Sequence, residues 1–168
     1  MPAERRVEAI ATLSEFALAL AGFAAIALVL GQREGALPPG AIYVVRFMVV
    51  NALGPAILSL LAVVLAQVGV PEPGLWRLCS AFYLAGGAFF GALSLRHQRD
   101  LSRTGQLILT RSLHYALWIG SFVVHAIELS NLIGYPWPPS AGMFLLGLWV
   151  LLAMAGLQFV ALLFLVLQ

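Results

Sequence analysis

Charged residues are scarce in this chain of 168 residues: only 10% are Asp, Glu, Lys or Arg, whereas 62% are hydrophobic. A soluble globular domain has about 25% charged and about 45–50% apolar residues. The composition therefore excludes a soluble enzyme, a nucleic-acid-binding domain and a disordered tail. It predicts an integral membrane protein.

Lysine is absent, since all nine basic residues are arginine. Without lysine, the chain cannot form the Schiff base of the usual retinal proteins. The one cysteine, Cys79, excludes an intramolecular disulfide and a thiolate metal cluster. The three histidines are too few for the four axial ligands of a two-haem membrane cytochrome, and no cofactor is predicted. Because the chain has no HExxH, Ser/His/Asp or paired-aspartate motif, we do not predict an enzyme.

Five long apolar segments follow one another, separated by short polar or Pro/Gly-rich connections. They cover about residues 7–30, 41–70, 75–95, 112–133 and 141–167, and a membrane-spanning helix needs about 20 apolar residues. The first is predicted to be a transmembrane helix rather than a signal peptide, because it contains Glu15 and ends without a small-x-small cleavage site. The sequence predicts one all-α transmembrane domain over residues 1–168, a five-helix bundle with one sizeable hydrophilic loop from Arg96 to Arg111.

The arginines are distributed unevenly between the two sides of such a bundle. Six lie on the side of the first loop, the third loop and the C-terminus: Arg33, Arg46, Arg96, Arg99, Arg103 and Arg111. The other side has Arg5, Arg6 and Arg77. The positive-inside rule then predicts an N-terminus outside and a C-terminus in the cytoplasm. Arginine without lysine, with abundant Ala, Gly and Leu, is typical of a GC-rich bacterial genome, which predicts a multi-pass protein of the bacterial cytoplasmic (inner) membrane.

Ionisable residues inside apolar spans are the candidate functional residues, because each costs several kcal/mol unless it is paired or hydrated. Glu15 and Glu128 lie at similar depths below the outer side, and His125 shares a helix face with Glu128. With Arg77 as the nearest cation, these four residues are predicted to form one polar cluster. The cluster would bind a cation or relay a proton, or it would be a satisfied interhelical network. Two carboxylates and one histidine are also a possible metal set, whose geometry the sequence does not define.

A second polar group is predicted in the inner leaflet, where Arg46, His114 and Gln158 lie near the cytoplasmic ends of their helices. Arg46 either extends to the headgroups or faces a water-filled cavity. Gly87 and Gly91 form a GxxxG motif in the third segment, which predicts close helix packing, either within the subunit or between subunits.

Three functions remain open on this basis. The first is a homo-oligomeric ion channel, because five helices enclose little space and a pore forms more easily between copies; Glu15, Glu128 or Arg46 would supply its rings of charge. The second is an accessory or assembly subunit of a larger membrane complex. The third is a small transporter with a proton- or cation-binding site at Glu15, His125 and Glu128. The predicted partners are membrane lipids, further copies of the chain and other membrane subunits, and no nucleic acid.

Overall fold

The computed structural model describes residues 3–33, 38–105 and 111–166, and this part of the chain is helical apart from short connections. Its five helices are α1 (Ala3–Arg33), α2 (Pro39–Gln67), α3 (Gly74–Arg103), α4 (Arg111–Ile133) and α5 (Ala141–Val166). Within these ranges, each helix contains a segment that is long and apolar enough to cross a membrane. The predicted all-α class is confirmed, together with five helices of the predicted length and apolar character; the side of the membrane on which each terminus lies stays a prediction.

Proline and glycine mark the boundaries of the helices. Pro39 occupies the first turn of α2, where its missing N–H would have no intrahelical partner. Gly69 and Gly134 follow the ends of α2 and α4 with φ angles of 79° and 81°. These angles lie in the left-handed region, which glycine adopts without a steric penalty.

The third helix is longer than the sequence predicts. The hydrophilic loop predicted from Arg96 is wrong for its first half, because α3 continues to Arg103. Leu101 explains the extension: it is buried against Tyr43 and Val44 at the start of α2. This contact anchors the last two turns of α3 although most of their other residues are polar. The rest of the predicted loop, residues 106–110, lies outside the described residues.

Helices α2 to α5 form a four-helix arrangement in which each packs against the next and α5 returns to pack against α2. Short connections make successive helices antiparallel. Helix α1 packs on the outside of this bundle, against α2 and α5. We call the end with residues 68–73 and 134–140 the Pro-loop end. The opposite end, where α3 ends and α4 begins, is the Arg-loop end.

Small residues allow the close approach of α1, α2 and α5. Ala24 on α1, Ala52 on α2 and Ala155 on α5 are fully buried in one apolar cluster. Large apolar side chains point outward instead, and Phe16, Phe122 and Phe164 are each more than 60% exposed. An apolar exterior of this kind is the surface expected of a protein in a lipid bilayer, where exposure to hydrocarbon costs nothing.

Candidate functional site

Glu128 of α4 lies in the interior of the bundle with 0% of its surface exposed. Its Oε2 accepts a hydrogen bond of 2.6 Å from the Ser80 hydroxyl of α3. The Ser80 oxygen in turn accepts from Asn131 Nδ2 at 2.9 Å. Asn131 Oδ1 accepts from the backbone N–H of Ser140, just before α5, at 2.8 Å. These three hydrogen bonds link α3, α4 and the start of α5 around one carboxyl group.

The other carboxyl oxygen of Glu128 has no such support. Among the described residues, Oε1 is a buried oxygen without a hydrogen-bond partner. It contacts Gly147 of α5 so closely that an added Cβ would overlap Oε1 and lie 2.9 Å from the carboxyl carbon Cδ. Only glycine leaves room for the carboxyl group at this position. Oε2 of Glu128 therefore has a neutral hydrogen-bond donor, the Ser80 hydroxyl, whereas Oε1 lies in an apolar environment.

His125 lies one turn away from Glu128 and faces α3. Its Nδ1 is 2.7 Å from the backbone carbonyl oxygen of Ser121. A carbonyl oxygen only accepts, so Nδ1 carries the proton and the neutral ring has its lone pair on Nε2. A Cβ added at Gly87 would lie 2.7 Å from Nε2, and the ring packs edge-on against Tyr83 with centroids 5.4 Å apart.

The α3 side of this site is a regular helical face. Ser80, Tyr83 and Gly87 are spaced by three and four residues, so they lie above one another on one face of α3. Ser80 contacts Glu128, while Tyr83 and Gly87 contact His125. Because α3 and α4 run antiparallel, the earlier residue on α3, Ser80, meets the later residue on α4, Glu128.

A second set of polar contacts lies nearer the Arg-loop end. Asn51 Nδ2 of α2 donates to Gln158 Oε1 of α5 at 3.0 Å, and both residues are buried. The amide nitrogen of Gln98 lies 2.8 Å from His114 Nδ1. The amide nitrogen can only donate, so the proton of neutral His114 is on Nε2.

A cavity of about 430 Å³ lies between α2, α3 and α4. It extends from Gln98 and His114 at the Arg-loop end to His125 in the middle third of α4, and Gln158 contributes from α5. Most of its lining is apolar. Two of the lining residues, Trp118 and Phe122, are 46% and 75% exposed, so the cavity reaches the outer surface of the bundle beside α4.

The structure brings together only part of the predicted four-residue cluster. His125 and Glu128 share one side of the α3–α4 contact. Glu15 is exposed on α1, and in the described ranges α1 contacts neither α3 nor α4. Arg77 is exposed at the Pro-loop end, where its Nη2 would lie 3.3 Å from a Cβ added at Gly134. Ion or proton binding by these residues stays a prediction.

The predicted inner-leaflet group is also divided. Arg46 is exposed on α2, whereas His114 is half-buried and Gln158 is 1% exposed, and the latter two line the cavity. Of the GxxxG pair, Gly87 is covered by His125, and a Cβ added at Gly91 would meet no atom within 4 Å. Gly91 lines the cavity instead.

The sequence did not single out Ser80, Tyr83 or Gly147 as part of the site. The spacing of Ser80, Tyr83 and Gly87 on one face of α3 was an available signal. Gly147 had none, because its role depends on where α5 packs. Over the described ranges, no group of three or more His, Cys, Asp or Glu side chains is placed to hold a metal ion.

Comparison of the chain with protein-family models, curated proteins and solved structures finds no significant match. The five long apolar helices fit a multi-pass membrane protein, and one of them carries an ionisable residue, Glu128, in the interior of the bundle. Its function has to be argued from that residue and its surroundings.

Proposed function

We propose that this chain is a small membrane transport protein in which Glu128 takes up and releases a proton. One observation carries the proposal: a carboxyl group in the interior of the bundle has one oxygen held by Ser80 and the other without a hydrogen-bond partner in the described residues. Ionisable residues in this position within transmembrane bundles commonly mark proton or ion pathways.

The cost of burial supports a proton as the exchanged species. A carboxylate in an apolar interior costs several kcal/mol unless a cation or several hydrogen bonds compensate it. In the described part of the chain, the hydrogen-bond donor to Glu128 is the neutral Ser80 hydroxyl. A proton bound at Oε1 supplies the missing compensation, and its release requires a compensating charge or water near the carboxylate. Proton exchange at Glu128 is therefore coupled to what occupies the bundle interior.

His125 is the next group along the path that we propose. It lies three residues from Glu128 on the same helix, which places the two Cβ atoms roughly 5–6 Å apart. Its Nδ1 lies at hydrogen-bond distance from the Ser121 carbonyl oxygen, and the ring lines the cavity that continues to His114 and Gln98. On the other side of Glu128, Ser80 and Asn131 lead to Ser140 at the Pro-loop end. Polar groups thus follow the bundle interior on both sides of the carboxyl group.

The orientation of the protein in the membrane is proposed from the arginine distribution. Six of nine arginines lie on the side of the Arg-loop end, which the positive-inside rule assigns to the cytoplasm. The N-terminus then lies outside, and we propose the bacterial cytoplasmic (inner) membrane as the location. Reporter fusions at each end of the chain, one active only in the cytoplasm and one active only outside it, test this orientation.

The test of proton transport uses purified protein in liposomes that contain a pH-sensitive dye. A potassium gradient with valinomycin sets the membrane potential, and the rate of internal acidification is measured. We expect Glu128→Gln to lower this rate at least tenfold, because the amide of glutamine cannot take up and release a proton as a carboxyl group does. The matched control is Glu15→Gln, which removes an exposed carboxyl group on α1. Wild-type acidification by Glu128→Gln would overturn the proposal.

A homo-oligomeric channel is a second candidate, and the exposure of two charged residues within apolar spans favours it. Glu15 and Arg46 are exposed on the outside of the bundle, where lipid is a poor environment for charge. Contacts with further copies would remove both residues from lipid and arrange them as rings. Native mass spectrometry of the protein released from mild detergent tests this by counting subunits, and a closed oligomer is expected. Conductance recordings in lipid bilayers should then change with Glu15→Gln and Arg46→Ala. A monomer contradicts it, and a copurifying protein favours an accessory subunit instead.

A further inference from the structure

The cavity between α2, α3 and α4 has the length of one bilayer leaflet. Its lining on α3 extends from Gly87 to Gln98, a rise of about 16 Å along the helix. The hydrocarbon of one leaflet is about 15 Å thick, half of the bilayer core. Divided by the length of the cavity, its volume of about 430 Å³ gives a mean cross-section on the order of 30 Å². The cavity is therefore long and narrow, as an extended hydrocarbon chain is.

One side of the cavity is open to the surroundings of the bundle. Ala88 and Ala92 of α3 line it together with Trp118 and Phe122 of α4, and all four are exposed on the outside of the bundle. The small side chains of α3 leave a gap along the contact between α3 and α4. In a membrane, hydrocarbon chains surround this opening, so a ligand enters from the lipid.

His125, the ionisable residue at the inner end of the cavity, is closed to a ligand. Its Nδ1 lies 2.7 Å from the Ser121 carbonyl oxygen, and its Nε2 lies against Gly87, where an added Cβ would be only 2.7 Å away. Gln158 Oε1 already accepts from Asn51. Water at this end would make few of the hydrogen bonds that it needs, and a void beside lipid loses packing contacts. A hydrocarbon chain is the occupant that this part of the cavity fits.

The other end of the cavity is polar and continues into a basic surface. Gln98 and His114 line this end. Arg99 follows the lining residue Leu95 by four positions and the lining residue Ala92 by seven, so it extends the same face of α3 toward the Arg-loop end. Its side chain is exposed. A cationic residue thus follows the cavity by one helical turn.

The charges near Arg99 increase the positive potential at this end. Arg96 and Arg103 are exposed on the same two turns of α3, and Arg103 shares the face of Arg99 because it is four residues later. Asp100, the acidic residue of these turns, is rotated about 140° from Leu95 around the helix axis, away from the cavity. An anionic headgroup is therefore favoured here, by about fivefold in affinity for each arginine close to it.

We propose that the cavity binds one phospholipid with an anionic headgroup. One acyl chain lies in the cavity, between the small residues of α3 and the aromatic side chains of α4, and ends near His125. The phosphate lies at the Arg-loop end beside Arg99, and the second chain stays in the surrounding lipid. The length of the cavity, the position of its polar end and the arginine on its α3 face all agree with this arrangement.

The lipid site is separate from the proton-binding carboxyl group, because Glu128 does not line the cavity. If protons follow the proposed path, a bound chain excludes water from the part between His114 and His125, and the lipid slows transport. The binding assays measure no proton movement, so they succeed or fail independently of the proposed transport.

Native mass spectrometry of the full chain in mild detergent measures lipid affinity. Dioleoylphosphatidylglycerol is the anionic probe, and dioleoylphosphatidylcholine has the same chains without a net charge. We expect one molecule of the anionic lipid to bind at least fivefold more tightly than the zwitterionic one. Equal affinity for the two lipids would overturn the proposal. Glycerol 3-phosphate carries the phosphate without chains and should not displace the lipid; displacement would indicate a site for free phosphate and overturn the lipid assignment.

Arg99→Gln tests the headgroup end of the site. The variant removes one cation beside the phosphate, so we expect about fivefold weaker binding of the anionic lipid and unchanged binding of the zwitterionic one. Arg77→Gln is the matched control, because Arg77 is an exposed arginine on the same helix at the Pro-loop end. An unchanged preference for the anionic lipid in Arg99→Gln would overturn the placement of the phosphate.

Leucine substitutions test the chain end of the site. Gly91→Leu fills the cavity from its α3 side, where an added Cβ meets no protein atom within 4 Å. Gly86→Leu is the matched control, because Gly86 has equally open surroundings and does not line the cavity. We expect Gly91→Leu to weaken the binding of both lipids at least fivefold and Gly86→Leu to leave it unchanged. Ala92→Leu replaces Gly91→Leu if that variant fails to fold, and wild-type binding by either variant would overturn the proposal.

Tryptophan fluorescence locates the chain independently of these leucine variants. Bromine atoms in the middle of an acyl chain quench a nearby indole ring, and Trp118 lines the cavity. We expect saturable quenching by brominated phosphatidylglycerol in the wild-type protein and its loss in Trp118→Phe. Trp149→Phe is the matched control, because Trp149 is 63% exposed on α5 and does not line the cavity. Saturable quenching that persists in Trp118→Phe would place the chain elsewhere and overturn the proposal.

Discussion

Replacing Gly147 with alanine is expected to destabilise the protein, because the glycine makes room for the Glu128 carboxyl group. The added Cβ would overlap Glu128 Oε1 and crowd its Cδ and Cγ. The carboxyl group cannot rotate away without breaking its bond from Ser80, and Ser80 also holds Asn131. The alternative is a displacement of α5 from α4, which disturbs the packing of both helices.

The magnitude follows from three contributions. Forcing one extra carbon into a packed interior costs about 1–3 kcal/mol. Leaving a buried hydrogen-bonding group unpaired costs about 1–3 kcal/mol. Alanine gains up to about 1 kcal/mol over glycine as a helix former. The first two costs belong to alternative responses to the same clash, so only one of them applies, and we expect Gly147→Ala to lower the free energy of unfolding by about 1–2 kcal/mol.

The assay is unfolding in mixed micelles of mild detergent and dodecyl sulfate, monitored by circular dichroism. Gly156→Ala is the matched control on the same helix, because a Cβ there meets no atom within 4 Å. It should change stability by no more than about 1 kcal/mol, in the stabilising direction. If Gly147→Ala is as stable as Gly156→Ala, Glu128 does not pack closely against Gly147 of α5.

A double-mutant cycle identifies the carboxyl group as the cause. Glu128→Ala removes the atoms that the new Cβ would meet, so Gly147→Ala should cost little in that background. The expected coupling between the two substitutions is about 1–3 kcal/mol. Additive effects would show that the cost of alanine at position 147 does not arise from Glu128.

The remaining predictions concern other contacts in the bundle interior. Ser80→Ala leaves Glu128 Oε2 and the Asn131 amide without their partner and should lower the free energy of unfolding by about 1–3 kcal/mol in the same assay; an unchanged stability would contradict the network. Gln158→Leu removes the acceptor of the buried Asn51 amide and should cost a similar amount, whereas wild-type stability would mean that this pair contributes nothing. In Gly120→Ala the new Cβ would lie 2.9 Å from both Cγ and Sδ of Met154; because this unbranched side chain can change rotamer, the substitution should cost less than Gly147→Ala, and a larger loss would show that Met154 cannot move aside.

The apolar pattern was sufficient to predict the number and approximate bounds of the helices. Each span must be about 20 residues long to cross the hydrocarbon, and Pro/Gly-rich connections separate the apolar runs. The pattern failed at the end of α3, where hydrophilic residues continue the helix to Arg103. Leu101 stabilises that extension by packing on Tyr43 and Val44. These residues are far apart in the sequence, so the hydropathy around Leu101 does not reveal the contact.

The candidate site was predictable only as far as a single helix determines it. The spacing of His125 and Glu128 placed them on one face of α4, and both contribute to the site. Glu15 was grouped with them by depth alone. Hydropathy gives the depth of a residue but not the order of helices around the bundle, and α1 packs on α2 and α5. For the same reason, the sequence did not predict the role of Gly147 or the cavity, because both depend on how several helices pack together.

The most direct test of the central claim is infrared difference spectroscopy of the protein in lipid as the pH is cycled. A protonated carboxylic acid has a carbonyl stretching band that a carboxylate lacks. The chain has seven acidic side chains, so the signal of Glu128 is one component of this band. We predict a reversible component that is present in the wild-type protein and in Glu15→Gln and is missing in Glu128→Gln. Identical difference spectra for the wild type and Glu128→Gln would contradict proton exchange at Glu128.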